Sequence, residues 1–378
     1  MGRSSYKRLG DYIQPVDIRN EDNAVDKLVG ITIDKAFIDS VANTIGTDLS
    51  KYKIIEAEQF ACSLMQVSRD GKMPIAMYAG GEKAILSPAY SMFEVIDKSE
   101  LLPSYLMMWF RRSEFDREAS FYAVGGVRGS LLWDDFLDFR LPIPDIEEQQ
   151  EIVAQYEAIT RRIALNERIC ANLEETAQAL YNKVFVQDID PDNLPDGWRM
   201  GTLDEIAEYL NGLACQQYES LTADYLPVIK IKELRQGFTD TDSSKVVPNV
   251  PTKYIIKNGD VIFSWSATLF VDLWNGGKAV LNQHLFKVTS KEYPKWFYLL
   301  ATKHHIDRWT REISAKATSM GHIKREDLEN AEVIIPNEEL INNAKELFDP
   351  LIRELELRRR ETLQCLYLQS LLLNRLTV

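Results

Sequence analysis

With 378 residues, 45% hydrophobic and 27% charged, the chain can build two domains that each bury a core, which excludes global disorder. A formal charge of −13 argues against a protein that grips nucleic acid unaided by bulk attraction. No apolar run reaches the roughly 18–20 residues of a spanning helix, and MGRSSYKRLGDYIQ lacks a signal peptide's apolar centre. Cys62, Cys170, Cys215 and Cys365 are scattered, with no C-x-x-C pair for zinc or redox chemistry, so the expectation is a cytoplasmic protein without membrane contact.

In chain order, strand-like runs come first: KLVGITI (27–33), YKIIEA (52–57) and KMPIAMYA (72–79), with a hairpin signal at RDGK (69–72). LPSYLMMWFRRSEF (102–115) carries a helical pattern. LPIP (141–144) then ends a strand, since proline cannot donate to a ladder, and Asp145 can cap a following helix whose first turn is acidic. DIDPDNLPDGW (188–198) reads as a linker. Beyond it, YLPVIKIK (225–232), YIIKNGDVIFSW (254–265) and KAVLNQHLFKV (278–288) are strand-like, with KNGD (257–260) as a second hairpin signal. YPKWFYLLATKHHIDRW (293–309) is helical, and VIIP (333–336) with Asn337 repeats the strand-to-helix junction.

The repetition has a period. Shifted by 192 residues, Tyr105 falls on Phe297, Gly129 on Gly321, Asp135 on Asp327 and Pro144 on Pro336; earlier segments match in a slightly different register. The segments after the prolines carry heptad ladders. The first runs Ile152, Tyr156, Ile159, Ile163, Asn166, Cys170, Leu173, Ala177, Leu180, Val184. The second runs Ala344, Phe348, Leu351, Leu355, Arg358, Thr362, Cys365, Gln369, Leu372, Leu376. Helices of about 40 residues, about 60 Å each, need a partner in water, and each is the other's obvious partner. Asn166 and Arg358 then fall near the middle of an antiparallel pair, and Pro350 calls for a bend or a late start. The expected fold is α+β, a pseudo-twofold repeat of two globules separated by two long helices that form an antiparallel coiled coil. The expected boundaries are 1–144, 145–187, 188–336 and 337–378. Segment charges are −4 for 1–144, −6 for 145–190 and −2 for 191–336, so both globules have room for local basic faces.

A catalytic constellation does not emerge. SPAY (87–90) is a distant likeness of the adenine-methyltransferase loop, but Ala89 stands where a second proline belongs and no glycine-rich cofactor loop precedes it. AVGGVRGS (123–130) and WNGGKAV (274–280) do not fit a phosphate-binding loop. Adjacent His304 and His305 diverge on a helix and read as a surface pair, not metal ligands, and no metal ligand set is expected. What remains are basic and polar loops suited to phosphates and base edges: Arg69, Lys72, Lys83, Arg128 and Ser130 in the first globule, and Lys230, Lys232, Arg235, Lys316, Thr318, Ser319 and His322 in the second. Gly129 and Gly321 fit tight turns.

The arrangement resembles the specificity subunit of type I restriction–modification systems. LPIPDIEEQQEIV is similar to that family's strand–helix junction, and RRIALNERICANLEETAQALYNKVFVQ to its central helix. LPDGWRMGTLDEIAEYLNGLA looks like the opening of a target-recognition domain, and VRGSLLWDDFLDFRLPIP like the end of one. The resemblance spans nearly the whole chain, although the first globule lacks a leading Leu-Pro-x-Gly-Trp. It implies a non-catalytic subunit whose two target-recognition domains each read half of a bipartite site in double-stranded DNA. The helices would serve as spacer and as dock for two methyltransferase subunits, with restriction–translocase subunits joining through them. S-adenosylmethionine, ATP and Mg would be used by those partners, with no cofactor bound by this chain. The alternative class is a two-headed coiled-coil scaffold that grips proteins through aromatics such as Trp109, Trp265 or Trp274.

Overall fold

A computed structural model describes residues 6–40, 46–65, 67–124, 129–315 and 322–376. The chain divides into two compact units, Met1–Arg161 with Tyr367–Val378, and Arg162–Leu366.

The first unit opens with β1 (Tyr6–Arg8), β2 (Ile13–Pro15), β3 (Val29–Ile31), β4 (Phe37–Asp39), β5 (Lys53–Ile55) and β6 (Phe60–Cys62). After a single helical turn, α1 (Val67–Asp70), come β7 (Ile75–Met77), β8 (Ala84–Leu86) and β9 (Ser91–Val95). Then follow α2 (Pro103–Phe110), α3 (Ser113–Ala123), α4 (Trp133–Leu137), β10 (Arg140–Pro142) and the start of α5 (Ile146–Phe185). Antiparallel pairing gives the sheet order β2-β9-β6-β7; β5 pairs with β8, and β1 closes on β10. Aromatic rings fill the centre, with Phe93 stacked on Phe60 at 4.9 Å and packed against Phe110 and Phe136.

The second unit adds β11 (Arg199–Thr202), α6 (Leu203–Ile206), β12 (Glu208–Asn211), β13 (Leu226–Ile229), α7 (Ile231–Gln236), β14 (Lys245–Val246) and β15 (Ile255–Ile256). It continues with β16 (Val261–Ser264), β17 (Phe270–Leu273), β18 (Ala279–Leu281), β19 (Leu285–Thr289), α8 (Lys295–Ala315), α9 (Arg325–Glu329), β20 (Glu332–Ile335) and most of α10 (Glu338–Arg375). Its antiparallel sheet, β12-β19-β16-β17, reproduces that of the first unit; a second sheet has the order β14-β13-β18-β15, and β11 closes on β20.

The internal repeat is therefore topological as well as sequential. The α2–α3 pair and α8 occupy positions 103–123 and 295–315, 192 residues apart, and α4, β10 and α5 start 192 residues before α9, β20 and α10. One difference is marked by a buried contact. Where α8 is continuous, its counterpart breaks between α2 and α3, and the Lys35 ammonium donates to the terminal carbonyl of Phe110 and, at 2.8 Å, to Asp116 on α3. A buried lysine thus caps the break.

Both strand-to-helix junctions form as expected. Asp145 Oδ1 accepts from the Glu148 amide at 2.8 Å, and Asn337 Oδ1 accepts from the Leu340 amide at 2.9 Å. Asp145→Ala or Asn337→Ala should each cost about 1 kcal/mol in urea unfolding, whereas glycine should cost only a few tenths. The joints differ one turn later. In the first unit Gln149, fully buried, donates to the carbonyls of Glu100 and Pro144 and accepts from the Leu102 amide. In the second, Ile341 lies in the apolar core at the matching position.

The two long helices run antiparallel. In the second unit Arg162 bonds Glu361 while Phe185 packs near Phe348; in the first, Gln369 donates to Thr160 and Leu376 shares the core of Val153 and Tyr156. Asn166 and Arg358 meet through one carboxylate, each donating to Glu361 Oε2. Hydrogen bonding from Arg162 foremost, and from Asn166, holds that carboxyl below its ordinary pKa.

Several expectations need correction. The helix α10 starts at Glu338 and runs through Pro350, so there is no late start. RDGK does lie in the connection closing the antiparallel β6–β7 pair, but as the end of α1 with Gly71 and not as a tight turn, and KNGD joins β15 to β16, which sit in different sheets. The stretch 231–236 of YLPVIKIK and beyond is helix α7, not strand. His305 is 5% exposed and meets the Glu332 carbonyl, so the histidines are not a surface pair. Trp109 and Trp274 are buried and cannot anchor a protein partner. The heptad ladder also drifts: Leu173, Leu180 and Leu351 are half-buried, whereas Tyr181, Phe185 and Ile352, which it missed, are buried. A straight helix keeps 3.6 residues per turn, so the buried stripe rotates from the helix partner toward the globule. No helix among the described residues is long and apolar enough to cross a membrane.

Candidate nucleic-acid interface

In the second unit, three connections meet at one end of the sheet: the end of β12, the β16–β17 hairpin and the β18–β19 turn. Gly212, just after β12, fixes the first approach. A Cβ there would lie 2.2 Å from the Asn282 carbonyl oxygen, so only glycine lets the chain pass. The hairpin tip places Ala267 at φ +58°, a left-handed conformation that costs a non-glycine residue about 1 kcal/mol or more. Ser264 Oγ, donating to the Thr268 carbonyl at 2.7 Å, holds that tip closed.

Trp265 is the hub. Its ring centroid is 5.7 Å from His322, 5.9 Å from His284 and 5.7 Å from Phe286, and its indole Nε1 donates to Asn211 Oδ1 at 3.2 Å. The Ile323 amide donates to the Trp265 carbonyl at 2.9 Å, bringing His322 beside the hairpin. Below lies an open cavity of about 870 Å³, lined by Asn211, Trp265, Phe286 and Ile323 and farther out by Glu208, Lys324 and Arg325. The stretches 209–218, 262–271 and 279–290 contain neither Asp nor Glu, although the chain has 57 acidic residues. These three connections lack the fixed negative charge that would repel a phosphate backbone, although Asp204, Glu205, Glu208 and Glu292 line the same cavity.

Of the residues expected from sequence, His322 belongs to this cluster, and Lys230 lies near it, lining a small cavity with Ser244 and Asn282 and donating to Ser244 Oγ. Lys232 pairs with Asp240 at 3.0 Å. Partial burial opposes ionisation of Asp240, but hydrogen bonds from Lys232, Gln236 and Ser243 bring its pKa down to about 2. Arg235 points elsewhere, into a cleft of about 360 Å³ lined also by Cys170, Glu174 and Arg359 of the long helices. Lys316, Thr318 and Ser319 lie outside the described residues, as does Gly321. Asn211, Gln283 and His284 escaped the sequence reading because it singled out basic and polar loops, whereas 278–288 read as continuous strand; the missing carboxylates were the available signal.

The first unit builds the corresponding corner differently. The Leu131 amide donates to the Leu64 carbonyl at 2.9 Å, 192 residues before Ile323 and in the place of its bond to Trp265. Gly129, at φ +70°, lies against α1, where a Cβ would come within 2.1 Å of Ser68 Oγ. Ser130 and Arg69 are thereby neighbours in the fold, while Arg128 lies outside the described residues. Arg69 pairs with Asp70 and Lys72 with Asp34, both partly in solvent. Lys83 sits on the separate β7–β8 turn, paired with Glu56.

Comparison with known proteins gives the class. The family described as the type I restriction modification DNA specificity domain matches twice, over residues 47–175 and 195–364. The chain belongs to that family, with two such domains. It is 23% identical over 288 residues to the type I restriction enzyme MjaIX specificity subunit of Methanocaldococcus jannaschii, covering 69% of this chain and 65% of that protein. It is 25% identical over 149 residues to the EcoBI specificity subunit of Escherichia coli, covering 38% of this chain and 30% of the relative. The chain thus matches just under two thirds of the first relative's length. In fold it is similar to the solved S subunit of a type I restriction–modification system from M. genitalium, with TM-score 0.56, 10% identity, and coverage of 100% of this chain and 97% of that one.

Proposed function

We propose that this chain is the non-catalytic DNA-recognition subunit of a type I restriction–modification complex. The observation that carries this reading is the double family match, each copy joining a mixed globule to part of a long helix. On this reading the target-recognition domains are 1–144 and 188–336, and the helical segments 145–187 and 337–378 are conserved spacers. Each recognition domain reads one half of a bipartite site in double-stranded DNA. The paired helices set the gap between half-sites and dock two methyltransferase subunits, through which restriction–translocase subunits join. S-adenosylmethionine, ATP and Mg serve those partners. Arg69, Lys72, Lys83, Arg128 and Ser130 contact DNA from the first domain, and Lys230, Lys232, Arg235, Lys316, Thr318, Ser319 and His322 from the second.

Paired but exposed cations suit this role, because a phosphate can exchange for a surface carboxylate at little cost. The complex, not this chain alone, must supply much of the attraction, given the net charge of −13. The spacer role is tested by deleting one heptad from each long helix. Seven residues shorten a helix by about 10 Å, or about three base-pair steps of B-DNA. Mapping methylated adenines in cells with the altered complex should reveal unchanged half-sites with a shorter gap. Methylation at the original gap would refute the spacer role.

A further inference from the structure

We infer that Asn211 is a specificity-determining residue of the second domain, with Trp265 as the positioning residue that fixes which end of its amide faces DNA. This deepens the DNA-reading role proposed above and rests on it. An indole N–H can only donate, so the amide atom that faces Trp265 Nε1 at 3.2 Å is the carbonyl oxygen. The Asn211 side chain is exposed at the end of β12, beside the strained hairpin tip and His322. With its carbonyl turned onto the indole, it presents the two N–H donors outward.

That orientation selects among bases. An asparagine that grips adenine in the major groove uses both ends of its amide, accepting from N6 and donating to N7. The indole occupies one lone pair of the Asn211 oxygen and turns that end of the amide toward the protein, so the side chain leads with its donors; these match two adjacent acceptors, and guanine supplies them as N7 and O6. Cytosine presents a donor at N4 and is disfavoured. The immediate surroundings suit a base edge: the exposed rings of His284 and His322 flank Trp265 and no carboxylate occurs on the three converging stretches, while charged groups of the same cavity, Glu208, Lys324 and Arg325 among them, lie on other segments. The second domain accordingly reads a guanine at one position of its half-site through Asn211.

The test maps methylated adenines in cells that carry the full complex with wild-type chain, Asn211→Asp or Trp265→Phe. Asn211→Asp still accepts from the indole but now offers DNA an acceptor, so one guanine of one half-site should give way to cytosine, with preference changing about tenfold or more. Trp265→Phe keeps a ring but loses the N–H; the freed amide should accept adenine within about threefold of guanine at that same position. The other half-site should stay unchanged in both variants. Retention of the wild-type base at every position, or relaxation spread evenly over both half-sites, would overturn the assignment. If a variant complex methylates nothing, selection from randomised duplexes by the purified complex reads the same position, and retained guanine there is equally fatal. A wild-type complex that marks no two-part site removes the DNA-reading role itself, and with it this inference, before any substitution is made.

Discussion

Arg359→Ala is expected to destabilise the second unit by about 3 kcal/mol, because one guanidinium serves carboxylates from two other elements. It donates to Asp272 on β17, to the Leu273 carbonyl at 3.1 Å, and to Glu174 on α5 at 2.7 Å, while Lys303 on α8 holds the other oxygen of Glu174. Removing it strands Asp272, which has no second ion-pair partner among the described residues. The estimate sits at the low end of the usual 3–5 kcal/mol span because the Asp272 and Glu174 side chains keep 30% and 32% exposure. Burial raises the Asp272 pKa even with Arg359 present. Loss of the arginine raises it further, so the variant's extra deficit is full at neutral pH and shrinks as acid protonates Asp272. Glu174 behaves oppositely: burial works against its charge, but Lys303 and Arg359 win and depress its pKa, so its contribution holds above its unfolded value and fades as pH falls through the folded one. Urea unfolding at pH 7.5 and pH 5 should therefore show the gap between wild type and variant narrowing at the lower pH. A gap that widens in acid would contradict this account of the cluster.

Phe348→Ala should be at least as damaging, at about 3–5 kcal/mol. This α10 side chain is fully buried, stacks on Trp296 of α8 at 4.4 Å with 12° between planes, and lies 6.2 Å from the ring of Phe185 on α5. Its deletion opens a cavity where three helices meet, and close packing leaves little freedom to fill it. Leucine at the same place should recover more than half of the loss. Leu357→Ala, on the same helix but 53% exposed, should change stability by less than about 0.5 kcal/mol. Denaturant midpoints for the three variants, at constant slope, measure the ranking; equal costs for positions 348 and 357 would mean that this junction is not the packing centre of the unit.

Much of the architecture was legible because it rests on local chemistry written twice. The prolines at 144 and 336, the caps at Asp145 and Asn337 and the 192-residue register all act within a few residues of the chain, and all appear in the structure. Two features were not legible. The rotation of the buried stripe toward Tyr181, Phe185 and Ile352 depends on a globule packing against the helix, and a heptad count assumes only another helix. The break between α2 and α3 is capped by Lys35, about 75 residues earlier in the chain, a contact no local pattern announces. Of the candidate interface, His322 emerged from composition, but Asn211, Gln283 and His284 did not. Their neutral side chains carry no charge signal, and only the meeting of three connections around Trp265 makes them a group.

The exchange of Gln149 for Ile341 at equivalent joints gives the two halves different responses to temperature. Burial of an isoleucine draws its driving force from water and weakens on cooling, whereas an amide held by three hydrogen bonds is largely enthalpic and does not fade in the same way. Chilling should therefore weaken the contact made by Ile341 more than that made by Gln149, so cold weighs unequally on the two joints of a duplicated protein.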